Sequence, residues 1–148
     1  DLLRNALRMR PDRIIIGECR GQEALDLVLA MNTGHEGCLS TVHANTSKDC
    51  LGRVLSMALM SDEAVPIGVL ESWVASALDI IVHQIKDAAG TRIVSEVAVV
   101  GSDRGNLTVC PVYSRENGVL TPLPGWFIDK LGKEKTEMLS QGKAEGLL

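Results

Sequence analysis

Glu18 and His43 are the residues of this 148-residue chain whose types and surroundings point most directly to chemistry. Glu18 closes the run RIIIGE, in which three isoleucines lead to a glycine and then a carboxylate. Such a run reads as a buried strand, and in open α/β sheets ligands bind just beyond the carboxyl ends of the strands. A carboxylate there suits phosphate chemistry, where it holds Mg2+ or orients an attacking water. It suits equally well a plain ion pair with Arg20 or Arg13. Gly17 leaves backbone room beside it. His43 ends the next apolar run, GCLSTVHAN. If the two strands are neighbours, both side chains point into one crevice, where an imidazole senses a terminal phosphate or relays a proton. A solvated strand-end histidine is the plainer alternative.

Other polar residues carry weaker signals. Ser40 and Thr41 offer hydroxyls to the same crevice. Arg4 and Arg8 share a helix face, with Arg10 close by. They either reach phosphates, including those bound by a neighbouring subunit, or form a solvated basic face. His35, in NTGHEG, reads as structural, a capping residue. His83 reads as a strand residue with no acid neighbour.

The elements that must position these residues follow from pattern. Residues 1–9 form a helix with Leu2, Leu3, Ala6 and Leu7 on one face, ended by Pro11. Residues 13–18 form a strand apolar on both faces, covered by helices on each side. Residues 22–34 form a helix that is apolar nearly all round, with Gly34 as its C-cap. The strand within 37–45 then leads to a helix over 47–60 capped by Asn45 or Thr46. This β, α, β, α order is that of a parallel βαβ unit. After a loop at 61–65, Pro66 starts another helix whose face is Ile67, Leu70, Trp73, Val74 and Ala77. Beyond Asp79 the pattern changes to three antiparallel strands joined by the turns AAG and DRGN. One or two short helices within 124–139 precede a frayed tail at 141–148.

Composition narrows the classes. Apolar residues make up 45% of the chain, enough for a globular core. The net charge of −4 and 3% aromatic content argue against a nucleic-acid surface. Cys19, Cys38, Cys50 and Cys110 form no CxxC pair and read as small apolar residues of a reducing compartment. No GxxxxGK[ST], HExxH or GxSxG motif occurs in the chain. The abrupt opening on DLLRNALRMRPD suggests a piece of a longer protein.

Taken together, LLRNALRMRPDRIIIGECRGQEALDLVLAMNTGHEGCLSTVHANT closely resembles the ATPases of the type II/type IV secretion superfamily. It looks most like the CpaF-type ATPases of Flp (tight-adherence) pilus assembly; related conjugation and type IV secretion ATPases carry similar segments. Residues 1–60 carry the resemblance most specifically, and PIGVLESWVASALDIIVHQ, RIVSEVAVVG and PGWFIDKLGK extend it over most of the chain. It implies an α/β fold: the C-terminal portion of a RecA-like P-loop NTPase core, a parallel βαβ unit followed by antiparallel strands, without the Walker A strand. Residues 1–148 would then be one part of that ATPase domain, with 141–148 a disordered tail.

The resemblance makes IIIGE the Walker B strand and Glu18 the catalytic carboxylate, and it makes STVHAN the His box with His43 as its histidine. Gly17 stands where many P-loop proteins have Asp, so Mg2+ would fall to Glu18 through water. Arg20 and Glu23 would orient the site, and Arg20, Thr41, Arg4 and Arg8 would approach the nucleotide. ATP and Mg2+ are the implied cofactors of the longer parent. The implied assembly is a homo-hexamer working with inner-membrane platform proteins, cytoplasmic and peripheral to the inner membrane, with no nucleic acid. Two other readings stay open: a non-enzymatic ring-assembly module and a RecA-type nucleic-acid motor.

Overall fold

The computed structural model describes residues 2–35 and 37–140, so the tail expected over 141–148 lies outside the described residues. Helix α1 spans Leu2–Arg8 and is followed by Arg10 in a left-handed conformation at φ 51°, just before Pro11. Strand β1 (Ile15–Ile16) pairs in parallel with β2 (Leu39–Ser40) across helix α2 (Glu23–Asn32), which is the expected βαβ unit. The ladder is extended on both sides by Leu39 N–H donating to Ile14 O at 3.0 Å and Cys19 N–H to Thr41 O at 2.9 Å. Both strands are far shorter than their apolar runs.

The expected cover on both faces of the first strand is not met. Ile14 is buried, but Ile15 is 72% exposed and its register partner Leu39 is 62% exposed. A two-stranded ribbon has a second face, and here the helices gather on the other one. Ala24, Leu25 and Val28 of α2 pack with Leu51, Val54 and Met57 of α3 (Ser47–Ala58) and with Leu70 and Val74 of α4 (Ile67–Ala77). Cys19 joins this cluster and Val42 packs against it.

Local caps set the helix bounds. Thr46 is the N-cap of α3, its hydroxyl accepting the Asp49 amide at 3.0 Å. Thr33 takes the C-cap of α2, and Gly34 follows at φ 89°, the left-handed position that favours glycine. Pro66 precedes α4 as its cap, and Ile67, expected on the buried face, is 51% exposed while Ala75 is buried. His35 takes up the role of a cap, its Nδ1 lying 3.3 Å from Ala30 O in the last turn of α2.

Strands β3 (Ile80–Lys86), β4 (Arg92–Asp103) and β5 (Asn106–Ser114) form the expected antiparallel meander. The DRGN turn places Arg104 at φ 50° and Gly105 at φ 86°, the two positive values of a type I′ hairpin. The sheet is covered on both faces at its centre. Val100 faces the α2–α3–α4 cluster, while Val99 and Val112 pack on Phe127 of α5 (Gly125–Ser140). One or two short helices are expected here, and Gly132, at φ 78° and ψ 165°, breaks α5 into two. Trp126 lies so close to Gly101 that a Cβ there would sit 2.7 Å from the indole.

Candidate functional site

The βαβ unit brings Glu18 and His43 together. Glu18 lies two residues past the end of β1, and His43 lies three residues past β2, in irregular chain rather than at a strand end. His43 Nδ1 is 2.8 Å from Glu18 Oε1, and the Arg20 guanidinium contacts Glu18 Oε2. Thus each carboxylate oxygen already holds one donor and keeps lone-pair capacity for another. The hydrogen bond from Arg20, with the charges of Arg20 and His43, holds the Glu18 carboxyl below its ordinary value. Glu18 therefore keeps its charge to lower pH than a free glutamate does. The His43 side chain is 81% exposed, so its Nε2 edge faces solvent.

The turn after β1 is braced from α2. Glu23 Oε1 accepts the backbone amides of Arg20 at 2.7 Å and Gly21 at 3.1 Å. The Arg20 amide bond leads in lowering the pKa of Glu23. This fixes the backbone that carries Arg20 towards Glu18. A Cβ at Gly17 would meet no atom within 4 Å, so the chain before Glu18 borders open space.

The remaining candidates divide. Thr41 Oγ1 donates to Gly17 O at 2.6 Å, which commits its proton to tying the two strand ends together. Ser40 Oγ is buried with no hydrogen-bond partner among the described residues, the one unspent side-chain hydroxyl of β2. Arg4 joins Asp26 of α2 through Nε at 3.0 Å and also lies 3.6 Å from Glu63. It is not part of the Glu18–His43 cluster. Arg8 is exposed and has no ion-pair partner among the described residues.

One reading of the sequence needs correction. His83, expected to lack an acid neighbour, sits opposite Glu96 in the β3–β4 register. It lines a cleft of about 440 Å³ together with Thr46, Ser95, Glu96 and Arg115. Nothing local in IIVHQIKD announces this, because the neighbours come from a strand and a helix start remote in sequence.

Among the described residues, no group of three or more His, Cys, Asp or Glu side chains could hold a metal ion directly. One exposed-edge carboxylate fits outer-sphere Mg2+, which keeps several waters and takes few protein ligands. No helix among them is long and apolar enough to cross a membrane.

Comparison with known proteins gives a consistent picture. A family model described as "Type II/IV secretion system protein" matches residues 1–111. A Mycobacterium tuberculosis protein that bears a conjugal-transfer name is 39% identical over 118 residues, which is 80% of this chain and 33% of that protein. The type IV secretion system protein PtlH of Bordetella pertussis is 40% identical over 84 residues, 55% of this chain and 25% of PtlH. The crystal structure of the VirB11 ATPase from the Brucella suis type IV secretion system, in complex with sulphate, aligns with a TM-score of 0.62 at 32% identity. That alignment covers 66% of this chain and 30% of VirB11, and the α/β class matches a RecA-like P-loop fold. The chain spans 33% of the length of the first curated relatives it matches.

Proposed function

Since the chain belongs to the type II/IV secretion system protein family, we propose that it is the C-terminal part of an ATP-hydrolysing motor for secretion or pilus assembly. The observation that carries this reading is the Glu18 carboxylate held between Arg20 and His43 beyond two parallel strands. Within the family, the CpaF-type, Flp-pilus branch is the reading favoured by the resemblance of residues 2–46. The working form is a homo-hexameric ring at the cytoplasmic side of the inner membrane, docked on platform proteins.

In this mechanism Glu18 accepts a hydrogen bond from the attacking water and so orients it. Arg20 keeps Glu18 ionised and fixes one of its oxygens. His43 donates through Nδ1 to Glu18 and, as the imidazolium with both nitrogens protonated, donates through its solvent-facing Nε2 to the terminal phosphate. Loss of that phosphate frees His43, and the three residues between His43 and the start of α3 carry the change into the helix. Arg8 remains available to a phosphate bound by a neighbouring subunit, whereas Arg4 serves α1–α2 packing through Asp26. Glu18 would hold Mg2+ through water, and the ion would supply neutralisation of the phosphate charge.

The chain has no GxxxxGK[ST] loop, so this segment alone supplies the water-orienting half of a site and not the phosphate cradle. We expect negligible ATP turnover from the 148 residues alone. In a longer chain with a phosphate-binding loop, Glu18→Gln should retain ATP binding and lose roughly 10²–10⁴ in rate, the usual worth of one positioned base. Equal hydrolysis by variant and parent, measured by coupled phosphate release, would refute the assignment of Glu18.

A further inference from the structure

His43 sits in backbone that no strand ladder holds. The last ladder bond is Cys19 N–H to Thr41 O, and the next regular element begins at Ser47. The intervening chain is instead gripped by the antiparallel sheet. His83 Nε2 lies 3.3 Å from Ala44 O, the carbonyl immediately after His43. A carbonyl only accepts, so Nε2 carries the proton. Ser95 Oγ lies 2.7 Å from His83 Nδ1 and fixes the ring plane. Four residues beyond His43, the buried Ser47 donates its hydroxyl to Glu96 Oε1. A carboxylate acceptor makes such a bond shorter and stronger than a neutral one. Glu96 also faces the first turn of α3, where negative charge is favoured.

The register explains how two neighbouring residues of one strand do this. The β3–β4 ladder shifts between His83 and Gln84, so that Ser95 and Glu96 both oppose His83. Such a bulge turns two consecutive side chains towards one side and is a common way to re-aim a residue beside a site. Without it, Ser95 and Glu96 would alternate across the sheet.

We propose that His83 and Glu96, aimed by the Ser95–Glu96 bulge, are positioning residues that hold the 43–47 segment so that His43 meets Glu18. Neither touches the reacting atoms in the proposed mechanism. The inference rests on that mechanism for its functional meaning but not for its test, because the Glu18–His43 contact is measured without nucleotide.

The test uses NMR of the 148-residue chain. The His43 imidazole 15N and 13C shifts are recorded for the wild type, and for Glu18→Gln as the reference without the ion pair. His83→Ala should move the His43 shifts more than half of the way to that reference and broaden the amides of residues 43–46. His83→Gln, whose side-chain amide can donate to Ala44 O and accept from Ser95, should restore most of the wild-type position. Purely structural loss would not be rescued in this selective way, since it would disturb α2 and α4 amides as well. If His83→Ala fails to fold, Ser95→Ala and Ser47→Ala carry the test, the first removing the bond that fixes the His83 ring and the second the bond to Glu96, each with little change of volume. His43 shifts unchanged from wild type in these variants would overturn the proposal while leaving the role of Glu18 intact. Conversely, coupling between His83 and His43 in a protein whose Glu18→Gln form hydrolyses ATP normally would retain the tie and remove its catalytic meaning.

Discussion

Lys130 is the residue whose loss the structure allows to be costed most directly. Its ammonium donates to Ala75 O at 2.8 Å, to Leu78 O and to Val100 O at 3.1 Å, and it lies 3.0 Å from the Asp79 carboxylate. Three of these partners are backbone carbonyls at the end of α4 and in β4, and the lysine side chain is only 19% exposed. One cation thus caps α4, where its charge complements the helix dipole, and pins α5 to the sheet. Hydrogen bonds from a charged donor are worth about 1.5–3 kcal/mol each, and an orphaned carbonyl costs a similar amount. Against three such bonds stands the penalty of several kcal/mol for desolvating an ammonium, which Lys130→Met removes while keeping the stem. Asp79, 62% exposed, simply rehydrates. The balance is a loss of about 2–4 kcal/mol, or roughly 5–15 °C in melting temperature for a chain of this size. Urea unfolding followed by circular dichroism measures it, with the exposed Lys86→Met as control. A loss below about 1 kcal/mol at unchanged m-value would show that water satisfies those carbonyls, and would refute the assignment of Lys130 as the clasp between α4, β4 and α5.

Gly101→Ala should destabilise by about 1–3 kcal/mol, because its Cβ would lie 2.7 Å from the Trp126 ring; blue-shifted or broadened tryptophan emission at a lower unfolding midpoint checks it. Arg104→Asn should stabilise by about 0.5–1 kcal/mol, since asparagine tolerates the left-handed turn position that arginine occupies at φ 50°; urea midpoints decide, and a loss would contradict the I′ assignment. Glu18 and Glu23 both titrate below their ordinary 4.5 when folded. Their contribution is therefore complete above that value and fades as pH falls through the lowered folded values, because the unfolded chain takes up protons first. Glu23→Gln should flatten the acid limb of stability against pH below about 4.5 and leave the plateau near neutrality shaped as before; an unaltered acid limb would mean the Arg20 and Gly21 amide bonds are not formed in solution.

The site was legible in the sequence to the extent that it is a matter of strand ends. An all-apolar run that stops at Gly17-Glu18, and a second that stops near His43, are brought side by side by parallel pairing. The Thr46 cap and the DRGN hairpin were equally readable, because each is set by residues within a few positions of one another. The lengths of the first two strands were not, since ladder length depends on which neighbours lie alongside.

Local sequence by itself determined where this chain turns, which helices cap where, and that a carboxylate and an imidazole follow two successive apolar runs, for those features need only short-range sterics and hydrogen bonds. Tertiary structure alone decided that Ile15 and Leu39 stay uncovered, that Lys130 reaches carbonyls 55, 52 and 30 residues away, and that His83 and Glu96 grip the segment after His43. Backbone carbonyls have no side-chain signature, and a bulge is a property of two strands in register, so no single stretch of residues encodes either.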